Sequence, residues 1–212
     1  MRRARSLVST LLLVSVTAAC GGDDDTDDDG ADGGGAADAA PTGDALVDTP
    51  DSITTLFVLN SSAFADEGAI PVQHTCEGDN ISPPMTWSGG PVAQGYALVL
   101  TDLDFAGGTV HSVLWDIPGD VTSLPEDVER VAEPAEPPGS KQALSLDGAT
   151  VGYLGPCPPK QHTYEFMLYA LGENPLSGVT LDSTRDEVVE VLADQALLTT
   201  RLTGTFTPTP KR

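Results

Sequence analysis

A histidine and a tyrosine lie two positions apart at the start of an apolar run, in a pattern that suits anion binding. On a strand, His162 and Tyr164 share a face, because side chains two residues apart point to the same side. An imidazole and a phenol can both donate hydrogen bonds to phosphate-type oxygens. The alternative is that both are ordinary polar residues satisfied at a strand end.

The loop before this pair is rich in glycine and proline. Gly155, Pro156 and Pro158 restrict the backbone and exclude regular structure. The run from Tyr164 to Leu171 that follows is almost continuously apolar, as in a central strand buried on both faces. A stiff loop leading into a buried strand would fix the two polar side chains, so we predict a pocket at this end of the strand.

A carboxylate and a second histidine could complete such a pocket. Asp102 ends an apolar strand, where a buried charge needs a donor or a cation; Asp104 follows two residues later. His111 opens the strand Val110–Pro118, on the same face as Val113 by simple alternation. Glycines between the two strands suit a reversing connection. We therefore expect one of the two aspartates to be the partner of His111.

Four stretches of the sequence together resemble the phosphatidylethanolamine-binding protein family, also known as the Raf kinase inhibitor protein family, in its bacterial branch. They occur in the family's order and cover most of the chain between Leu56 and Phe206. The stretches are CEGDNISPPMTW (76–87), TDLD (101–104), HSVLWDIP (111–118) and GYLGPCPPKQHTY (152–164).

The resemblance implies a mainly β fold, with two antiparallel sheets packed as a sandwich and short peripheral helices. It also implies an anion pocket at one end and no required cofactor. Carried over residue by residue, the pocket would comprise Asp102, Asp104, His111, Gly155, Pro156, Pro158, His162 and Tyr164. The chain departs from the family pattern at Ser112, where Trp is usual, and at Thr163, where Arg is usual; its aspartate motif also lacks the usual prolines.

Composition points to the same class of fold. The chain has 212 residues, with 22 Gly, 17 Pro and few aromatic residues, which favours turns and short strands over long helices. We predict a helix within 180–202, capped by Ser183 or Thr184, with a second short helix at 195–202 and a closing strand at 204–207. We also predict that residues 121–147 form a long surface excursion and that His74 faces solvent.

The net charge of -22 excludes some partners. It argues against nucleic acid and against electrostatic adhesion to anionic lipid. A local anion site is still compatible with it, since backbone amides and histidines can act as donors in an acidic protein.

The N-terminal region is typical of an exported lipoprotein. Arginines precede a short apolar core, too short to span a bilayer, and Cys20 follows two alanines as in a lipidation site. We predict a signal peptide at 1–19 and a membrane anchor at Cys20; secretion without a lipid is the alternative. Residues 21–51 contain eleven Asp and no Lys or Arg. This composition predicts that residues 20–51 form a disordered tether. The domain would then span 52–207 and a tail 208–212.

Two cysteines remain for the domain. In an oxidising compartment Cys76 and Cys157, both in proline-containing loops, are candidates for a disulfide, and two separate thiols are the alternative.

Three functions fit these residues. The first is a lipid-anchored binding module for a small anion, phosphate or a phosphorylated head group, with a protein partner that the sequence does not identify. The second is a hydrolase that uses the His/Asp/Tyr pocket, or Cys157 beside His162 as nucleophile. The third is a metal site built from His111, His162 and an aspartate. The usual metal-binding motifs are absent, and so is a nucleophile elbow of the GxSxG type.

Overall fold

The computed structural model describes residues 56–210. The predicted signal peptide, Cys20 and the tether lie outside these residues. The strands are β1 (Val58–Ser61), β2 (Gly68–Ala69), β3 (Met85–Ser88), β4 (Gly95–Asp102), β5 (Thr109–Pro118), β6 (Ser123–Leu124), β7 (Lys141–Gln142), β8 (His162–Leu171) and β9 (Ala196–Phe206). A 3₁₀ helix (Val72–His74) and one α-helix, α1 (Arg185–Gln195), complete the described elements. None of the described helices is long and apolar enough to cross a membrane.

Two sheets face each other, as the sequence predicts. The smaller has the strand order β1-β3-β6, and the larger has the order β2-β9-β8-β4-β5-β7. All pairings are antiparallel except β2–β9, which is parallel. The core between the sheets holds Leu59 and Trp87 from one side and Leu100 and Phe166 from the other. The fold is therefore a two-sheet β-sandwich.

A second core lies on the outer face of the larger sheet. There Val99 and Trp115 pack with Val188 and Leu192 of α1. Because β4 has apolar neighbours on both faces, its sequence is apolar without alternation. β4 is therefore buried on both faces, whereas β8, which the sequence predicts to be buried on both, alternates between buried and partly exposed residues.

The helix prediction is right in its first half and wrong in its second. α1 begins after Thr184, whose side chain accepts a hydrogen bond from the Glu187 amide while the Glu187 side chain accepts from the Thr184 amide. The residues predicted as a second helix, 195–202, instead belong almost entirely to β9. They pair with the second part of β8, from Phe166 to Leu171, and threonines suit that environment better than a helix.

Two smaller predictions are also wrong. The 121–147 segment is more than a surface excursion, because it supplies β6, β7 and the buried side chains of Leu124 and Val128. His74 is only 2 % exposed, and its Nδ1 lies 3.0 Å from the Ile81 carbonyl oxygen. Its ring is held inside the loop between β2 and β3.

The helix cap is open to a direct test. Replacing Thr184 by Ala removes the hydroxyl that accepts from the Glu187 amide, and we expect the free energy of unfolding to fall by about 1 kcal/mol. Thr184→Ser keeps an equivalent oxygen and should retain most of the stability. Urea unfolding of both variants measures the difference, and equal losses would mean that the capping hydroxyl contributes nothing.

Candidate functional site

Asp102 and His162 form a buried pair at one end of the larger sheet. Asp102 is the last residue of β4 and His162 the first of β8, and these neighbouring strands run antiparallel. The Nδ1 atom of His162 lies 2.7 Å from Oδ2 of Asp102. The other carboxylate oxygen, Oδ1, accepts the backbone N–H groups of Asp104 and Phe105 at 2.9 and 3.1 Å. This buried carboxylate is therefore satisfied on both oxygens.

These contacts keep Asp102 ionised. Burial alone would raise the pKa of Asp102, but the hydrogen bonds from His162 and from the Asp104 amide outweigh it, and the net pKa lies below the usual value. The ionised Asp102 accepts a hydrogen bond from Nδ1 of His162, which therefore carries a proton. The remaining ring nitrogen, Nε2, makes no hydrogen bond to the described residues.

His111 reaches the same region through an irregularity in β5. Thr101 pairs with Val110, but Leu100 pairs with Ser112, so the register shifts at His111. This β-bulge breaks the simple alternation that placed His111 and Val113 on one face. The His111 ring instead meets the Tyr164 ring edge-on, with the ring centres 5.5 Å apart. The two histidines thus converge around one tyrosine.

The prediction that an aspartate is the partner of His111 is wrong. The Nδ1 atom of His111 lies 3.0 Å from the carbonyl oxygen of Leu154, which can only accept a hydrogen bond, so this nitrogen carries the proton. Burial lowers the pKa of His111, although the Leu154 bond and the charge of Asp102 partly oppose that shift. His111 is 5 % exposed and His162 4 % exposed. Each ring is therefore fixed through Nδ1, with Nε2 unused among the described contacts.

Tyr164 supports the site from inside. It is fully buried, and its hydroxyl has no hydrogen-bond partner among the described residues. Burial raises the pKa of Tyr164, and the nearby charge of Asp102 raises it further. The phenol is thus neutral, close to the carboxylate, and available as a donor once a ligand or water reaches it.

The Gly/Pro loop is held by residues that sequence reasoning did not select. The Gly155 amide donates to Oδ1 of Asn80 at 2.8 Å, and the Tyr153 hydroxyl donates to the His74 carbonyl at 2.7 Å. A Cβ at Gly155 would lie 2.2 Å from that carbonyl oxygen, so only glycine fits. The Gly155 amide is therefore not free for an anion, although the family resemblance places Gly155 in the pocket. Asn80 lies inside the quoted 76–87 stretch, the one signal that could have pointed to it.

Two further residues predicted for the pocket, Asp104 and Pro158, lie in the loops after β4 and before β8. The Asp104 carboxylate accepts the Thr163 amide at 2.6 Å and makes no hydrogen bond to either imidazole. Pro158 lines a groove beside the loop. The Ser112 side chain, where the family usually has Trp, lines a small, mostly apolar cavity of about 40 Å³ deeper in the sandwich. This cavity is not lined by the four polar residues of the site, Asp102, His111, His162 and Tyr164.

The structure forms the predicted disulfide. Cys76 and Cys157 are bonded, with their Cα atoms 5.3 Å apart. Cys157 therefore has no thiol, which removes the hypothesis that it is a catalytic nucleophile. Within residues 56–210, no cluster of three or more His, Cys, Asp or Glu side chains is arranged to hold a metal ion.

Comparisons with known proteins converge on one family. The family model described as phosphatidylethanolamine-binding protein matches residues 60–207. A UPF0098 protein of Methanothermobacter thermautotrophicus is 38 % identical over 151 residues, 70 % of this chain and 97 % of that one. A Mycobacterium tuberculosis protein named "Putative lipoprotein LppC" is 35 % identical over 172 residues, 79 % of each chain.

Solved structures give the same result. The chain is similar to E. coli YBCL, described as a new member of the mammalian PEBP family, with a TM-score of 0.65 and 28 % identity over 72 % of this chain and 99 % of that one. It is also similar to the PEBP homologue CT736 of Chlamydia trachomatis, with a TM-score of 0.62 and 27 % identity over 73 % and 99 % of the two chains.

Proposed function

Because the chain belongs to the phosphatidylethanolamine-binding protein family, we propose that it is an exported binding module whose paired histidines, His111 and His162, take a small anion. The ligand class is phosphate or a phosphorylated head group. The observation that carries the proposal is the arrangement of the two rings. Each has Nδ1 fixed by an acceptor, Asp102 or the Leu154 carbonyl, and each keeps Nε2 for a ligand.

The protonation state of the rings sets the sign of the pH dependence. With Nδ1 carrying the proton, Nε2 can donate to an anion only in the imidazolium form. A bound anion would favour that form at His111, against the effect of burial on its pKa. Affinity for a phosphate monoester should therefore weaken as pH rises through the imidazole pKa values.

Binding fits the described contacts better than hydrolysis. Asp102 orients His162 as a catalytic carboxylate would, but no described Ser, Thr or Cys side chain is hydrogen-bonded to either imidazole. A base with no nucleophile hydrogen-bonded to it is a weaker basis for catalysis than for recognition.

Export and anchoring form the second part of the proposal. The apolar leader followed by Cys20 supports lipidation, and the name of the mycobacterial relative supports the same assignment. A tether of about thirty residues would carry the domain away from the membrane surface.

Calorimetric titration with phenyl phosphate tests the site. We expect His111→Ala and His162→Ala each to weaken binding by about 1.5–3 kcal/mol, the range for a hydrogen bond to a charged group. The double variant should lose less than the sum, because the two rings share one ligand. Titrations above and below neutral pH check the predicted sign.

His74→Ala is the matched control, since it removes a buried histidine elsewhere in the domain and keeps the His74 carbonyl that supports the loop. It should lower stability and leave the affinity nearly unchanged. If both pocket variants bind phenyl phosphate as tightly as the wild type does, this site is ruled out.

A further inference from the structure

The disulfide lies at the surface of the domain. Both cysteines are exposed, and they join segments 81 residues apart in sequence. They form part of the wall of an open groove of about 910 Å³, together with 158–161 and 207–210. An external thiolate can therefore reach the sulfurs without unfolding the domain, and exposed disulfides are the more reducible ones.

The same disulfide holds the loop that supports both histidines. Between Tyr153 and β8 the chain first supplies the Leu154 carbonyl that accepts from His111, then Cys157, then His162 itself. Cys157 is thus near the middle of a segment whose two ends orient the two rings.

We propose that the Cys76–Cys157 bond is a reducible latch on the anion site, opened by a dithiol reductant such as a thiol–disulfide oxidoreductase. This inference rests on the proposed function. A thiolate of the reductant attacks one sulfur, the S–S bond breaks, and a mixed disulfide forms. The second thiol of the reductant then attacks the reductant's own sulfur in the mixed disulfide and releases the protein cysteine. The reductant leaves as a disulfide, and two electrons and two protons remain on Cys76 and Cys157 as thiols.

One cation in the groove wall favours this attack. Lys160 is exposed in the same groove wall, and its ammonium group would attract an incoming thiolate. The neighbouring Glu77 carboxylate is occupied by Thr209, whose amide and hydroxyl donate to it at 2.8–3.0 Å. The first residues of the predicted tail are therefore held against the domain at the edge of this groove.

Opening the latch should loosen the loop and not unfold it. The Cys76 amide still donates to the Pro156 carbonyl at 3.0 Å, and the Gly155 amide still donates to Asn80. The expected consequence is a less well ordered pocket. Since fixing a binding loop in advance increases affinity, we expect reduced protein to bind phenyl phosphate about 3- to 10-fold more weakly.

The test reduces the folded protein with dithiothreitol, alkylates the thiols, and counts them by mass spectrometry before calorimetric titration with phenyl phosphate. We expect complete reduction without denaturant, weaker binding, and restored affinity after reoxidation of a sample that was not alkylated. Cys76→Ser/Cys157→Ser should match the reduced protein. A bond that reacts only in denaturant, or an affinity that does not change, would overturn the proposal.

Amide hydrogen exchange separates this proposal from the proposed function. If the oxidised protein binds no phosphate ester, the function fails, but the latch can still be judged from the Gly155 and Cys157 amides. Faster exchange at both after reduction supports a latch that orders the loop. Unchanged exchange shows that the loop is held without the bond, and the latch is then wrong whatever the ligand.

Discussion

Replacing Asp102 by Ala is expected to lower the free energy of unfolding by about 3–5 kcal/mol, the usual cost of removing one partner from a buried charged pair. The carboxylate accepts three hydrogen bonds, from Nδ1 of His162 and from the amides of Asp104 and Phe105. Alanine leaves the buried His162 imidazole without its acceptor and also removes the acceptor of the Asp104 and Phe105 amides. Urea denaturation at neutral pH measures the loss.

Asp104→Ala is the matched control for this change. Asp104 is an exposed aspartate two residues away, and its carboxylate accepts only the Thr163 amide among the described contacts. Its removal should cost about 1 kcal/mol, the net value of an ordinary hydrogen bond. Equal losses for the two variants would contradict the view that the Asp102–His162 pair organises this end of the sheet.

The Asp102 contribution should disappear in acid. Its folded pKa lies below the unfolded value, so the stabilisation is complete above about pH 4 and is lost as pH falls through the folded pKa. His111 acts in a higher window. Burial lowers its pKa, so the unfolded chain takes up the proton first and stability falls as pH drops below about 6.5. In Asp102→Asn, a plot of unfolding free energy against pH should no longer show the fall below about pH 4. The fall below about pH 6.5, which comes from His111, should remain.

The residues of the site could be predicted better than their contacts. Residue type and apolar patterning singled out Asp102, His111, His162 and Tyr164, and the structure brings these four together. The partners could not be predicted because a bulge in β5 shifts the register at His111. A single residue of shift exchanges the two faces of a strand, and no local feature of HSVLWDIP marks it.

A second bulge shows the same limit within one strand. Trp115 and Ile117 are two residues apart and would share a face in a regular strand. Asp116 between them has a φ of 57°, and Trp115 packs under α1 while Ile117 packs between the sheets. The Asp116 carboxylate accepts hydrogen bonds from the Leu176 amide and from the Lys141 ammonium group, which lie in other parts of the chain. Such long-range contacts also explain β9, where pairing with β8 overrides a helix-like local pattern. Local sequence carries the elements, and tertiary contacts decide register and pairing.

Replacing both Cys76 and Cys157 by Ser is expected to lower the free energy of unfolding by about 4 kcal/mol. The bond closes a loop of 81 residues, and in the chain-entropy account a loop of this size restricts the unfolded state by roughly 4–5 kcal/mol. Urea unfolding of oxidised wild type and the double variant measures the difference. Thiol labelling of denatured, unreduced wild type is the companion test, since two reactive thiols there would contradict the bond itself.

The size of that loss also determines how the proposed latch would work. A bond that stabilises the fold is stabilised by it to the same extent, and about 4 kcal/mol corresponds to roughly 90 mV in the reduction potential. A loss of this size makes the oxidised protein the resting state, opened only by a strongly reducing dithiol that reaches the exposed sulfurs. A loss near zero would mean that folding does not protect the bond, and mild reductants would then open it. Measuring the stability of the double variant thus predicts which class of reductant can act on the site.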